Sequence, residues 1–311
     1  MNTTLGIEAI GTYLPENQIT NLDRMEAFAM TEQTVREKVG FLALAQKDPE
    51  LETSDLCVRA WQSLRQKRPI QTEEVDCLVV CTQNPDGFGL PHTSAIVHRK
   101  LGLPQGCAAF DVSLGCSGFV YSLSIIQAFM QANGMRTGIL MTADPYSKVI
   151  DLQDKKTSTL FGDGATATLI SDRPVWTTGA FEFGSDGTKW DSIIVRDQTL
   201  HMNGRAVFTF SVRMIPDSIR AMLQKNERSL GDLDRLILHQ GSLHIINSIA
   251  DELGVPREKA PFYAESYGNT VSSSIPMALA QELENEDLRT LLVAGFGVGL
   301  SWASTLLFRQ P

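Results

Sequence analysis

The sequence predicts an α/β protein made of two related halves, each a mixed, mainly parallel set of strands covered by helices, with the halves related by a pseudo-twofold axis. Three observations carry this prediction. Val75-Asp76-Cys77-Leu78-Val79-Val80 returns as Leu233-Asp234-Arg235-Leu236-Ile237-Leu238. Leu101-Gly102-Leu103-Pro104 returns in the same order as Leu253-Gly254-Val255-Pro256. The offset is close to the same at two places, 152 from Leu101 to Leu253 and 153 from Arg136 to Arg289, where Arg-Thr leads into an apolar strand each time. A period this long, held across unrelated residue types, marks a duplicated unit.

Each half reads as strand, helix, strand, helix, strand. In the second half the spacing predicts a strand over 235–238, a helix over 243–253, a strand over 261–265, a helix over 272–284 and a strand over 290–295. Such alternation lays parallel strands beneath covering helices. Ser171-Asp172-Arg173-Pro174 interrupts the apolar run 165–170, which places the boundary between a half spanning 1–172 and a half spanning 173–311. No long linker separates them, so one shared core is expected. Residues 291–308 carry no charge and approach the length of a membrane span, but Gly295, Gly297 and Gly299 divide them into two strands around a glycine loop.

Composition narrows the function. The chain has 311 residues, 27 Lys plus Arg against 36 Asp plus Glu and a net charge of −9, so no global field draws it to nucleic acid or an anionic membrane. An anionic partner must find a local basic patch. Met1 to Gly6 lacks a basic n-region and an apolar h-region, so a cytoplasmic location is expected. Five cysteines, at 57, 77, 81, 107 and 116, are an odd number without CxxC spacing, which argues against a disulfide framework and against a metal site.

The repeat singles out the chemistry. Under the 153-residue offset Cys116 corresponds to Asn269, each expected after a strand and before a helix, while His239 ends another strand of the second half. Strand ends and helix starts of parallel α/β sheets gather on one side, where ligands bind. Cys116 precedes the apolar run beginning Ser117-Gly118-Phe119, so its thiol is expected at a helix N-terminus that favours the thiolate. Gly115, Ser117 and Gly118 leave room for an oxyanion site beside the sulfur. Cys57 in a helix, Cys77 and Cys81 on a strand and Cys107 before one are assigned no role.

Six motifs then fall in a recognisable order: Asp111-Val112-Ser113-Leu114-Gly115-Cys116-Ser117-Gly118-Phe119, Phe161-Gly162-Asp163-Gly164-Ala165, Met202-Asn203-Gly204-Arg205, His239-Gln240, Tyr267-Gly268-Asn269-Thr270 and Gly295-Phe296-Gly297-Val298-Gly299. Together they resemble the β-ketoacyl-acyl carrier protein synthase III family of the thiolase superfamily. The resemblance implies a thiolase-like fold in a layered αβαβα arrangement. It also implies that Cys116 carries an acyl group taken from a thioester, while His239 and Asn269 hold the carbonyl of a malonyl-type thioester as it loses carbon dioxide. The backbone N–H groups of Cys116 and Val298 would form the acyl oxyanion hole, Val298 standing at the middle of the family's glycine triplet. Asp163 would hold loops near the site.

The same resemblance implies a homodimer, with Phe88 reaching the partner's acyl pocket, and substrate contacts from Lys38, Lys148, His244, Asn203 and Gly204. The substrates would be acyl-coenzyme A or acyl carrier protein thioesters, with no resident cofactor. Thr34 and Lys38 stand where the family places Trp and Arg for coenzyme A, His244 stands in place of an Arg, and Asp251 and Glu252 lie where basic residues dock the acidic carrier. These departures point to a specialised member, acting outside the initiation of fatty-acid synthesis. Two alternatives stay open: acyl transfer from Cys116 to an alcohol or amine without decarboxylation, and a non-catalytic synthase subunit. A papain-like protease is set aside, since its Cys signature and chain order differ.

Overall fold

The computed structural model describes residues 4–311; Met1 to Thr3, part of the segment read for a secretory signal, lie outside the described residues. The first half runs β1 (Gly6–Tyr13), β2 (Gln18–Thr20), β3 (Ala43–Ala45), α1 (Thr53–Lys67), β4 (Cys77–Cys81), α2 (Thr93–Leu101), β5 (Ala108–Val112), α3 (Gly118–Ala132), β6 (Thr137–Ala143), α4 (Lys155–Ser158) and β7 (Ala165–Ser171). The second runs β8 (Trp176–Ser185), β9 (Ile193–Arg196), β10 (Thr199–Met202), α5 (Gly204–Lys225), β11 (Arg235–Leu238), α6 (Leu243–Leu253), α7 (Ser274–Ala280), β12 (Thr290–Gly297) and β13 (Ser301–Arg309).

Nine strands follow the order β11-β12-β13-β8-β1-β7-β6-β4-β5. Apart from β5, which has no counterpart, the order is a palindrome under the repeat, with β4 matching β11, β6 matching β12, β7 matching β13 and β1 matching β8. In the first half β1, β4, β5 and β6 share one direction and β7 is reversed; in the second β8, β11 and β12 share one direction and β13 is reversed. Among the described residues the two sets join where Gly6 and Ile7 pair with Thr177 and Trp176. A Cβ on Gly6 would lie 2.3 Å from the Trp176 carbonyl oxygen, so the join requires glycine there.

Hydrophobic patterning explains the layers. The α3 sequence is apolar on nearly all sides because the helix packs against β4 and β6 of one set and β12 and β13 of the other, burying Phe119, Val120, Leu123, Ile126 and Met130. The central core also takes Ile7, Ile275, Leu291 and Val293, so both halves contribute to it. Outer helices show a single apolar stripe instead: α6 buries Ile246, Ile249, Ala250 and Leu253, and Ser242 Oγ caps its start by accepting from Ile245 N–H at 3.3 Å. The repeated Leu-Gly-x-Pro has a local cause. Gly102 and Gly254, both at φ +68°, end α2 and α6 in the left-handed conformation that glycine adopts without strain.

Predicted elements at 235–238, 243–253 and 290–295 form at those places, and residues 291–308 do divide into β12 and β13 around the glycine loop. The strand expected over 261–265 does not form: 261–263 carry no regular structure and a 3₁₀ turn covers Ala264–Ser266. Pro261 has no N–H to give a ladder. The Gln240 side chain takes the place of a strand partner, donating to the Pro261 carbonyl at 3.4 Å and accepting from Tyr263 N–H at 2.9 Å. The helix expected over 272–284 is a 3₁₀ turn at Val271–Ser273 leading into the shorter α7.

Candidate active site

The residue that follows β11, the end of β12, the link between β5 and α3 and the starts of α5 and α6 meet at a pocket of about 230 Å³ lined by Cys116, His239, Asn269 and Val298. Tyr146, Phe161, Ile193 and Met202 supply apolar wall beside them, and Lys38, Gly204 and His244 also line it. Three side chains from points 30 to 153 residues apart therefore converge, as the repeat and the strand-end argument require.

Cys116 lies between β5 and α3, and only 6 % of it is exposed. Backbone N–H groups of Val298 and of Cys116 itself bear on the sulfur. The glycine loop makes this approach possible, because a Cβ on Gly297 would stand 2.6 Å from Sγ. The expectation of a stabilised thiolate is corrected. Burial among Tyr146, Phe161, Ile193 and Val271 pushes the thiol up to about 12 despite the two N–H groups, so these surroundings do not favour the thiolate. The first residue of α3 is Gly118, two positions beyond the sulfur, which further weakens the helix-end effect.

His239 follows β11 directly and continues its ladder, its N–H donating to the Ala294 carbonyl at 2.9 Å. Burial lowers the imidazole to about 3, so the ring is neutral. Its Nδ1 lies 2.7 Å from Ser274 Oγ, and that oxygen also accepts from Gln240 N–H at 3.4 Å. The Ser274 hydroxyl can donate to Nδ1, and in that tautomer the ring proton sits on Nε2. Nε2 is 3.5 Å from Asn269 Nδ2. Asn269 Oδ1 accepts from Val271 N–H at 2.8 Å, turning the amide nitrogen toward the histidine. In that tautomer the pocket presents an imidazole N–H and an amide N–H side by side. The segment before Asn269 is not a strand; a single bridge to Phe161 and the bond from Asn269 N–H to the Leu160 carbonyl at 2.8 Å hold it.

Val298 keeps its backbone N–H at the sulfur, and its side chain packs where a Cβ on Gly115 would meet it at 2.6 Å. Asp163 is buried and accepts from Ser147 N–H at 3.2 Å, Ser147 Oγ at 2.5 Å and Lys47 N–H at 2.9 Å, so it ties loops together outside the pocket.

Among the expected substrate contacts, Lys38, Gly204 and His244 line the pocket, with the His244 ring stacked on Phe208 at a centroid distance of 4.8 Å. Lys148 does not reach it: its ammonium is bound to Glu52 at 2.6 Å and to the Pro85 carbonyl at 2.8 Å. Nor does Asn203, whose Oδ1 caps α5 by accepting from Ala206 N–H at 3.1 Å while the residue lines an adjoining cleft. Phe88 is fully exposed on the loop before α2, away from this chain's own pocket. Sequence reasoning passed over Ser274, Gly297, Tyr146 and Phe161. Gly297 carried a signal as the central member of the alternating glycines, and Phe161 opens one of the six motifs.

Models of the 3-oxoacyl-acyl carrier protein synthase III family match residues 110–187 and, for its C-terminal part, residues 223–308. β-Ketoacyl-acyl carrier protein synthase III 1 of Halalkalibacterium halodurans is 34 % identical over 312 residues, covering 98 % of both chains. The β-ketoacyl-acyl carrier protein synthase III structure from Thermus thermophilus superposes with a TM-score of 0.90 at 31 % identity, over 98 % of this chain and 99 % of that one. The priming β-ketosynthase of the R1128 polyketide biosynthetic pathway gives a TM-score of 0.88 at 28 % identity, over 100 % and 98 % of the two chains. A thiolase-type fold, this pocket and near full-length similarity show the chain to be an acyltransferase that belongs to the β-ketoacyl-acyl carrier protein synthase III family.

Proposed function

We propose that the enzyme joins an acyl group on Cys116 to a malonyl-type thioester by decarboxylative condensation, giving a β-ketoacyl thioester. The observation that carries this reading is the convergence of one thiol, two backbone N–H groups and two neutral side-chain donors on a single pocket. In the first step Cys116 Sγ attacks the carbonyl of an acyl thioester. The bond from that carbonyl to the substrate's carrier sulfur breaks, the proton of Cys116 ends on the departing carrier thiol, and the N–H groups of Cys116 and Val298 hold the tetrahedral oxyanion.

In the second step the carbonyl of the malonyl-type thioester accepts from His239 Nε2–H and Asn269 Nδ2–H. Its carboxylate leaves as carbon dioxide and the electron pair passes into an enolate held by the two donors. The enolate carbon then attacks the acyl carbonyl, the C–S bond to Cys116 breaks, and the thiol regains a proton. A neutral imidazole suits this role, since it donates without drawing the substrate carboxylate into a competing ion pair.

The acyl donors are coenzyme A or carrier protein thioesters, and the chemistry draws on no resident cofactor. Lys38 is the cation that lines the pocket, with Lys148 engaged elsewhere, which supports a member specialised away from the usual primer. A homodimer is supported by the outer edge of β5, which ends the sheet, and by Phe88 and Leu90, 104 % and 93 % exposed on the loop that leads into α2 beside it. Incubation of the acylated enzyme with a malonyl thioester carrying a ¹³C-carboxyl label tests the reaction. Labelled carbon dioxide in step with product supports condensation; acyl transfer to an alcohol or amine without it overturns the reading.

A further inference from the structure

The glycine loop between β12 and β13 is short. Gly297 and Ser301 face each other as the last pair of the ladder, and Val298, Gly299 and Leu300 make the turn. Its fit against the nucleophile is tight: a Cβ on Gly297 would stand 2.6 Å from Cys116 Sγ, and a Cβ on Gly295 would stand 2.6 Å from the Cys116 carbonyl oxygen. The peptide that joins Gly297 to Val298 carries the N–H that would hold the acyl oxyanion, and Val298 lines the pocket. Glycine on both sides of Val298 leaves that stretch of backbone few steric limits of its own, so its position depends on other anchors.

Two buried serines supply them. Ser301 Oγ donates back to the Val298 carbonyl at 2.9 Å, and Ser117 Oγ lies 2.8 Å from Ser301 Oγ. A carbonyl only accepts and Ser301 has one hydroxyl hydrogen, so both bonds form together when Ser117 donates to Ser301. Ser117 follows Cys116 directly, so the chain of hydrogen bonds ties the segment that carries the thiol to the loop that faces it, across 184 residues of sequence. The far end of the turn is held separately, the Leu300 carbonyl accepting from Asp186 N–H at 2.8 Å. Loss of the serine bonds therefore loosens Val298 without releasing the whole turn.

We propose that Ser301 is a positioning residue that, backed by Ser117, holds the Val298 peptide beside Cys116 and so sets the oxyanion site for acylation. The kinetic consequence rests on the acyl-Cys116 reading; the structural consequence does not. Neither serine lines the pocket, so their influence passes through the loop. It falls on a step that builds charge on the acyl oxygen and spares attack of the thiol on a saturated carbon, where no oxyanion forms.

The test uses the full-length enzyme and two kinds of reagent for Cys116: a panel of acyl thioesters, and iodoacetamide, which alkylates the thiol without an oxyanion. In Ser301→Ala the acylation rate at saturating thioester is expected to fall roughly 10–100-fold, the usual effect of misplacing a group at the reacting centre by about 1 Å, while alkylation stays within about twofold. Ser301→Thr keeps the hydroxyl and should hold acylation within about threefold of wild type. Ser117→Ala should slow acylation less, and the double Ser117→Ala/Ser301→Ala variant no further than Ser301→Ala alone, since Ser117 acts through Ser301. In protein labelled with ¹⁵N-valine, the Val298 backbone amide is assigned by its disappearance in Val298→Ala, and its solvent exchange should quicken at least about 10-fold in Ser301→Ala. Unchanged Val298 exchange overturns the proposal, as does an equal loss of acylation and alkylation, or two serine effects that multiply in the double variant. If wild-type Cys116 is alkylated but takes no acyl group from the panel, the acyl-enzyme reading falls, while Val298 exchange still decides the role of Ser301.

Discussion

Gly297→Ala tests whether the glycine loop sets the position of the nucleophile. A Cβ at 297 would lie 2.6 Å from Cys116 Sγ and 2.8 Å from Cys116 Cβ, where carbon contacts normally fall at about 3.5–4.0 Å. One of the two segments must retreat by about 1 Å. Neither does so cheaply. A Cβ at neighbouring Gly295 would already stand 2.6 Å from the Cys116 carbonyl oxygen and 2.9 Å from Ser117 Cα, so the backbones are in close contact on this side. The overpacking is expected to cost about 1–3 kcal/mol of stability. Displacement of the sulfur from the N–H groups of Val298 and Cys116 is expected to slow acylation about 100-fold. The assay is the rate of acyl-adduct formation followed by intact mass, with chemical denaturation run in parallel. Acylation within about twofold of wild type, whatever the stability, would refute the claim that backbone approach at Gly297 places the thiol.

Further expectations concern the histidine and the assembly. Ser274→Ala removes the partner of His239 Nδ1 and with it about 1–3 kcal/mol of orienting interaction; condensation should slow roughly tenfold or more while Cys116 acylation is retained, and equal loss in both steps would contradict the tautomer argument. The imidazole is lowered to about 3 in the fold against 6.5 in the unfolded chain, so below pH 6.5 the unfolded state takes up a proton that the folded state refuses. Stability of the wild type relative to His239→Gln should therefore fall by about 1.4 kcal/mol per pH unit from 6.5 toward 3, as measured by denaturation at stepped pH, and a flat difference would show that the ring titrates normally. Phe88→Asp should convert a dimer in sedimentation equilibrium into a monomer of 34.2 kDa; a wild type already monomeric at micromolar concentration would refute the assembly.

Much of the scaffold was legible because it is written locally and twice. Strand 235–238, its helix with the Gly254 stop and the strand from Thr290 each combine an apolar period with a terminator, and the first half repeats them in the same order. Failure came where a long-range partner replaced a local one. Pro261 looked like a strand start until the Gln240 side chain supplied the bonds that a ladder would have made. Lys148 reads as a free cation in sequence, yet Glu52 lies beside it, 96 residues away in the chain. Cys116 shows the same limit for electrostatics. Its helix-start position was visible, but the aromatic and aliphatic wall that desolvates it comes from residues scattered between 146 and 271. Ser274 gave no signal, since it acts by a hydrogen bond whose partner only the tertiary fold brings near.

The central claim is that Cys116 carries the acyl group. Peptide mass spectrometry of the enzyme after exposure to a panel of acyl thioesters measures this directly. The expected result is one acyl group on the peptide containing Cys116, absent in Cys116→Ala and discharged as β-ketoacyl product when a malonyl thioester is added. An adduct on Cys57, Cys77, Cys81 or Cys107, or none on any cysteine of an otherwise active enzyme, would contradict the account.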